Sequence, residues 1–387
     1  MAVCPSLCQI PQGGRPLKLA KRCLIALSAA VFLSGCWDRA NVEDITLSML
    51  VGMDLDEQNR LLFSLSSPVF SKEAKKKEEQ YVMRSTSMRQ SREEFDRTVV
   101  AMTMGGKVQA LLLGKRVLQH TGWFELMDPF YRDNRNTVLP TVVLVDGPVS
   151  EVIQFSPEDK PRLPTYMREL VNTAKRRNIT VQTTLQQLRR QIYEKGMTPS
   201  ITELRKDTDL KVVGTALLRH DGRYAMTLEP HENKLCSLLR ADRRGDFPFT
   251  IKLPTYPDDG VFQHNVTSFA PISTSVKTKT RYEANRFRFD VGLKMRIFLT
   301  EKLFPADLQK NAEKLERDIA RKLENDYAKL IEKLQAEKVD PIGFGIHARA
   351  RQYRHWKPVQ NRWPEAFSKA DVNVNVTIKI MGMGAIK

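Results

Sequence analysis

Strict alternation of apolar and polar positions marks the second half of the chain. Val372, Val374, Val376, Ile378 and Ile380 fall on every other position of Asp371–Ile380, the period of a strand with one buried face. The same reading predicts long strands at Val261–Thr278 and Arg286–Leu299 and a shorter one at Phe249–Leu253. Leu210–Arg219 and Arg223–Leu228 form a hairpin around His220-Asp221-Gly222, where Asp-Gly suits a tight turn. Between these strands the period changes. Over Leu308–Lys338, Leu315, Ile319, Leu323, Tyr327, Leu330 and Leu334 make one apolar helical stripe. Glu313 with Arg317 and Asp318 with Lys322 supply i,i+4 pairs on its wet side. The stripe is expected to pack on the chain's own sheet, with a partner helix as the alternative. Glu232–Leu239 reads as a shorter helix.

The first half mixes the two periods. Ile45–Asp54 and Arg60–Val69 are predicted strands around the polar turn Asp56–Asn59. Ser71–Gln80, rich in Lys and Glu, reads as a solvated loop or exposed helix end. Ser91-x-x-Glu94 resembles a capping box opening a helix with Phe95, Val99 and Met102, stopped by Gly105-Gly106. A strand at Lys107–Leu113, short helices at Lys115–His120 and Trp123–Tyr131, and a strand at Thr137–Val145 follow, the last ended by Asp146-Gly147-Pro148. Helices are expected at Leu163–Arg177 and Thr183–Lys195. Gly196–Asp209, with Pro199 and Ser200, reads as a domain boundary. The expectation is an α+β chain: a signal segment at 1–35, an N-terminal α/β region at 36–205 and a C-terminal α+β domain at 206–387, its long helix packed on an antiparallel sheet.

The extreme N-terminus has another character. Arg15, Lys18, Lys21 and Arg22 precede the apolar run Cys23–Leu33, and Leu33-Ser34-Gly35-Cys36 closes it. A basic region, a short apolar region and small residues make a secretory signal. The run is too short for a membrane span, which takes roughly 20 residues. Leu-Ser-Gly-Cys looks like a lipobox, with the Cys36 thiol accepting diacylglycerol before cleavage makes it the first residue. Two acyl chains anchor stably where one binds only marginally, so no separate membrane-binding patch is required.

Charge and cysteine content narrow the chemistry. With 62 Lys+Arg against 45 Asp+Glu the chain carries +17, and removing 1–35 takes no acid away. Such a balance favours anionic lipid or wall polymers, and a secreted lipoprotein has little occasion to bind nucleic acid. Of the cysteines only Cys236 lies beyond Cys36, so the processed chain has no pair for an intramolecular disulfide. Beside Leu235, Leu238 and Leu239, Cys236 reads as a buried thiol rather than a nucleophile.

Catalytic motifs are missing. Gly106-Lys107 and Gly114-Lys115 lack both the upstream glycine and the following Ser or Thr of a phosphate-binding loop. Neither HExxH, CxxC nor G-x-S-x-G occurs, and His120, His220, His231, His264, His347 and His355 show no metal-ligand spacing. Asp54-x-Asp56 starts like a calcium loop, but Asn59 and Leu65 stand where glycine and glutamate are needed. Asp258-Asp259 and Glu93-Glu94 fit turn and helix-start roles. No catalytic, cofactor or metal residue is assigned, and a binding or assembly subunit is the better class.

Several stretches resemble a known family. Gly35-Cys36-Trp37-Asp38-Arg39 with Leu50-Val51-Gly52-Met53-Asp54 is similar to the start of the Ger(x)C spore germination lipoproteins. Val212-Val213-Gly214-Thr215-Ala216-Leu217 resembles their central hairpin. Asp340-Pro341-Ile342-Gly343-Phe344-Gly345, then Trp356, Trp363 and Phe367, Asp371–Val376 and Gly382 resemble their C-terminal part. Two positions depart: members usually carry an acid near Asn41 and a basic residue where Met381 stands. Gly214 suggests a close backbone approach or bulge, Gly343 and Gly345 a helix end with tight re-entry, and the aromatic trio core anchors.

The resemblance implies a mixed fold particular to that family. It also implies the C subunit of a nutrient germinant receptor, anchored through Cys36 on the outer face of the spore's inner membrane beside integral-membrane A-type and B-type subunits. It names neither the nutrient germinant nor its contacts. A solute-binding lipoprotein of an ABC importer shares the anchor and an α/β body but would show two lobes of parallel sheet. The long antiparallel strands after residue 210 argue against it. A lipid-anchored hydrolase lacks its motifs.

Overall fold

The computed structural model describes residues 45–383 except 71–72, 100, 157–158, 243, 257–264 and 305–307, and upstream only Lys21, Leu24 and Ile25. Contacts divide the chain into Met1–Ile45 and Thr46–Lys387. In the first unit Lys21, Leu24 and Ile25 are helical and exposed. Cys36, the rest of the signal segment, Trp37–Arg39, Asp258-Asp259 and His264 lie outside the described residues.

The strands in chain order are β1 (Ile45–Leu47), β2 (Leu50–Leu55), β3 (Leu61–Pro68), β4 (Glu78–Arg84), β5 (Met102–Met104), β6 (Ala110–Gly114) and β7 (Thr141–Val145). There follow β8 (Ser200–Lys206), β9 (Leu210–Leu218), β10 (Tyr224–Leu228), β11 (Phe249–Lys252), β12 (Val266–Glu283), β13 (Arg286–Lys302) and β14 (Asp371–Met383). An eight-stranded sheet has the order β10-β9-β8-β7-β6-β2-β3-β4. Its centre, β2 to β6 to β7 to β8, is parallel, and both flanks are antiparallel hairpins. Every residue of β6 and β7 is buried, so these strands read as unbroken apolar runs and carry elements on both faces. Leu111, Leu113, Val142 and Leu144 pack against Trp123, Met127, Phe130, Leu185 and Leu188 on one face. Leu112, Val143 and Val145 pack against Val149, Ile153, Met167 and Val171 on the other.

A four-stranded sheet, β11-β12-β13-β14, makes the second layer. The helix Leu308–Ala336 lies on one face of it. All six predicted stripe residues are buried, five of them with no exposed surface, against Phe289, Val291, Leu293, Met295 and Ile297. Each large side chain buried there contributes roughly 1.5–3 kcal/mol. The stripe therefore packs on the chain's own sheet. Three strands are antiparallel, as expected, but β14 joins β13 in parallel. Parallel neighbours need a long crossover, and the 29-residue helix provides it. Glu324 and Glu316 on that helix accept the Val376 and Ile380 N–H groups at 2.8 and 2.9 Å, which occupies donors of the edge strand. Among the described residues, all three cores are built between Leu50 and Ile378.

Local expectations shift in three places, at Glu78–Arg84, at Ser91 and at Met102. Glu78–Arg84 is strand β4, antiparallel to β3, where a loop or helix end is predicted to run to Gln80. The helix expected from Ser91 is Met88–Asp96, with Ser87 as its cap accepting from the Gln90 N–H. Ser91 lies inside it, buried, its hydroxyl donating to Met88 O. Met102, expected on that helix, is exposed in β5. The Gly196–Asp209 stretch holds β8, buried from Ser200 to Leu204, so the sheet's hydrogen bonding runs through residue 205.

Candidate functional site

Two polar knots inside the fold organise the residues singled out above. The first is at Asp340, where the long helix ends. Asp340 is buried and its carboxylate accepts from Gly343 N at 2.8 Å, Gly345 N at 2.9 Å and the Trp363 indole at 2.9 Å. Its own N–H donates to the Thr198 hydroxyl at 2.7 Å, and its carbonyl accepts from Thr198 N at 2.8 Å. Burial pushes the Asp340 carboxyl above the usual carboxylate range, and the Gly345, Trp363 and Gly343 N–H groups pull against that shift.

Glycines bring the segments together there. Gly343 has φ +91°, the left-handed conformation in which glycine avoids the Cβ penalty. A Cβ on Gly345 would stand 2.7 Å from the Gly196 Cα and 2.7 Å from the Trp363 indole nitrogen. Arg349 closes the same junction with a fork onto Glu194 at 2.8 and 3.1 Å. Trp356, Trp363 and Phe367 are all buried, as core anchors should be, with Trp363 against Phe287 and Phe367 near Phe344.

The second knot lies at the carboxyl ends of the parallel strands, where open α/β sheets usually place their ligands. Lys115, following β6, reaches Asp146 at 3.1 Å and the buried Glu203 at 3.3 Å and sits 4.7 Å above the Tyr224 ring. Burial opposes the Lys115 charge, yet Glu203 and Asp146 hold it above its ordinary value. Asp146 also pairs with Arg205, and Glu203 accepts from the Thr227 hydroxyl. Asp54, at the end of β2, accepts from Leu55 N and Val149 N at 2.8 and 2.9 Å, and burial raises its carboxyl. Asp54, Lys115 and Asp146 border a cleft of 430 Å³, with Glu57 and Ser150 also on its wall, and Lys115 and Asp146 answer each other's charge. The arrangement ties the ends of neighbouring strands together.

The other sequence candidates follow the same pattern. Cys236 is fully buried, and burial pushes its thiol up to about 12. Gly214 is opposite Glu203 beside a bulge, and a Cβ there would lie 2.1 Å from Leu228 O. Asp56 accepts from Gln58 N, Arg60 N and the Arg60 guanidinium, which accounts for the polar turn. His347 is half-buried, while His355 stacks on Tyr282 at 4.0 Å. Among the described residues no group of His, Cys, Asp and Glu is placed to hold a metal ion. No helix among them is long and apolar enough to cross a membrane. Asp340, Glu203 and Lys115 carry roles that sequence reasoning missed; an Asp followed by N–H donors at i+3 and i+5 was the available signal for the first.

Comparison with known proteins follows the same outline. A family model described as "Spore germination protein N-terminal domain" matches residues 38–206, and one described as "Spore germination B3/ GerAC like, C-terminal" matches 213–384. Spore germination protein B3 of Bacillus subtilis (strain 168) is 22% identical, covering 96% of this chain and 100% of the relative. Spore germination protein A3 of the same organism is 24% identical over 94% and 98%. The crystal structure of the GerBC protein superposes with a TM-score of 0.53 at 16% identity, covering 86% of this chain and 96% of that one. Its likeness extends to the mixed sheet-and-helix architecture. From the two matched halves and the end-to-end relatives, the chain belongs to the Ger(x)C family of spore germination proteins.

Proposed function

We propose that this protein is a lipid-anchored, non-enzymatic C subunit of a nutrient germinant receptor. Diacylglycerol on Cys36 would hold it on the outer face of the spore's inner membrane, and A-type and B-type integral-membrane subunits would complete the receptor. The observation that carries the reading is the match to two spore germination families over 38–206 and 213–384. The packing of the family-like motifs agrees with a scaffold: Asp340, Gly345 and Trp363 tie segments together instead of lining a reactive pocket. An anchor also raises the local concentration near membrane partners, so weak contacts suffice.

Deletion of the gene in a strain lacking other receptors tests the role. Germination toward one class of nutrient among amino acids, sugars and nucleosides should be lost, with growth, sporulation and receptor-independent germination intact. Normal germination on every nutrient would refute the reading, and lost uptake of one solute in growing cells would point to an importer. For the anchor, labelled lipid should enter the wild-type chain and not Cys36→Ala. Label persisting in the variant would remove that assignment.

A further inference from the structure

The uncovered face of the four-stranded sheet is where the molecule's basic excess meets an apolar tip. The long helix covers one face only. On the other, register places Lys277 opposite Gly292, Ser275 opposite Lys294 and Ser273 opposite Arg296. Some of the charge there is answered: Arg281 and Arg288 by Asp290, Arg286 by Asp371, and Lys379 by Glu316. Lys277, Lys279, Lys294 and Arg296 are exposed and have no ion pair among the described residues. Gly292 sits in the middle, and among the described residues a Cβ on it would approach nothing closer than 4.0 Å.

At one end of this face the character changes. The β12–β13 register slips between Pro271 and Ser273, which puts Ile272 on a bulge. The β13–β14 register slips after Ile297, which puts Met381 on another. Phe298 lies between them on the outer face, its ring over Gly382, where a Cβ would come within 3.0 Å. Ile272 is 61%, Met381 46% and Phe298 38% exposed. Three adjacent strands thus present large apolar side chains at one level, and two of them do so through bulges.

We propose that this face is a second membrane contact, with Ile272, Phe298 and Met381 entering the headgroup layer of an anionic bilayer, Arg296 and Lys294 nearest its phosphates, and Lys277 and Lys279, farther from the tip, adding to the positive field that draws the face to the bilayer. Spacing supports the tip-first pose. At roughly 3.3 Å per residue, Arg296 trails Phe298 by about 7 Å and Lys294 by about 13 Å. The headgroup layer is itself roughly 5–8 Å deep. A protein partner fits less well, since protein interfaces have an apolar, desolvated centre and a charged rim. Here the charge is central and the apolar group terminal. The contact rests on the anchored-subunit reading: the diacyl chain tethers the chain, and this face sets how the body stands on the membrane.

Vesicle binding tests it without the lipid. The chain from Trp37 onward, which retains all three cores, is cosedimented with vesicles of phosphatidylcholine and of equimolar phosphatidylcholine and phosphatidylglycerol. Binding should require phosphatidylglycerol and weaken with added salt. Each surface cation is worth roughly a fivefold gain in partition, so reversing Lys294 and Arg296, the two nearest the tip, to Glu should cost at least about 25-fold. The control reverses Lys76 and Lys107, exposed residues elsewhere with the same total charge change, and should cost far less. Ile272→Ser with Phe298→Ser and Met381→Ser should cost roughly tenfold with little salt dependence. Equal losses in the two reversed variants, or binding to phosphatidylcholine alone, would overturn the proposal. So would germination lost in the serine variant with vesicle binding intact, which would assign the face to a protein partner. The vesicle readouts do not depend on lipid at Cys36.

Discussion

Replacing Asp340 tests whether the C-terminal motif is held by one buried carboxylate. Asp340→Ala removes the acceptor for Gly343 N, Gly345 N and the Trp363 indole in a single step. A buried donor left without a partner costs about 1–3 kcal/mol. The three are neighbours and relax together, so the sum is not simply additive, and about 3–6 kcal/mol is expected. For a chain of this size each kcal/mol moves the melting temperature about 2 °C, giving a fall of about 6–12 °C. Asp340→Asn keeps the shape and one acceptor but turns an amide N–H toward donors, so about 2–4 kcal/mol is expected. Trp363→Phe keeps most of the ring and deletes one donor. Combined with Asp340→Asn it should cost less than the two singles added, because the second change removes a donor the first had stranded. Urea and thermal unfolding of the chain from Trp37 onward measure all four. If Asp340→Ala lay within about 1 kcal/mol of the parent, the buried-carboxylate account would be wrong.

Three further outcomes follow from the packing. In the chain from Trp37 onward, whose one cysteine is Cys236, a thiol reagent should fail to react at pH 8 until urea unfolds the protein, because the thiol is fully buried and pushed up to about 12; ready reaction in the native state would contradict its placement. Gly214→Ala forces a Cβ against Leu228 O and should destabilise by about 1–3 kcal/mol, while Gly292→Ala, in open space, should be near neutral or slightly stabilising; the reverse order in urea unfolding would refute the assigned register. Burial lowers the His220 pKa below its ordinary value, so the unfolded chain binds that proton first, and stability should be lost as pH falls below about 6.5; His220→Gln should flatten that slope, and an unchanged slope would show that other groups set it.

Legibility in the sequence tracked how far one pattern decides one property. The long helix and β14 were readable because each buries a single face, so period alone identifies both element and core side. Period says nothing of direction, and for that reason the parallel pairing of β14 with β13 was not visible. β4 escaped notice because it is an edge strand: EEQYVMR is only half-buried, and its glutamates looked like a solvated loop. β8 buries Ser200, Thr202 and Glu203 beside Ile201 and Leu204, and polar residues satisfied by neighbours give no apolar signature. The cap misassignment at Ser91 has a similar cause, since a buried serine bonding back to Met88 O has the same spacing from an acid as a true cap. The family motifs were legible as sequence, but the reason for Asp340 and Gly345 was not. Both act on partners far away, at Thr198, Gly196 and Trp363.

The parallel place of β14 also decides the order in which the second layer comes together. β12 and β13 are joined through Ala284 and Asn285, both at positive φ, so that hairpin closes locally and early. The neighbour of β13 on its other side is Asp371–Met383, separated from it by the whole long helix. Such a non-local pairing is slow to form, and in a chain made from its N-terminus it waits until those residues exist. During that interval β13 presents an open edge beside Phe289, Val291 and Leu293, which is a template for another copy. A chain stopped before Asp371 would keep that edge permanently, and its fate is self-association rather than a smaller version of the same fold.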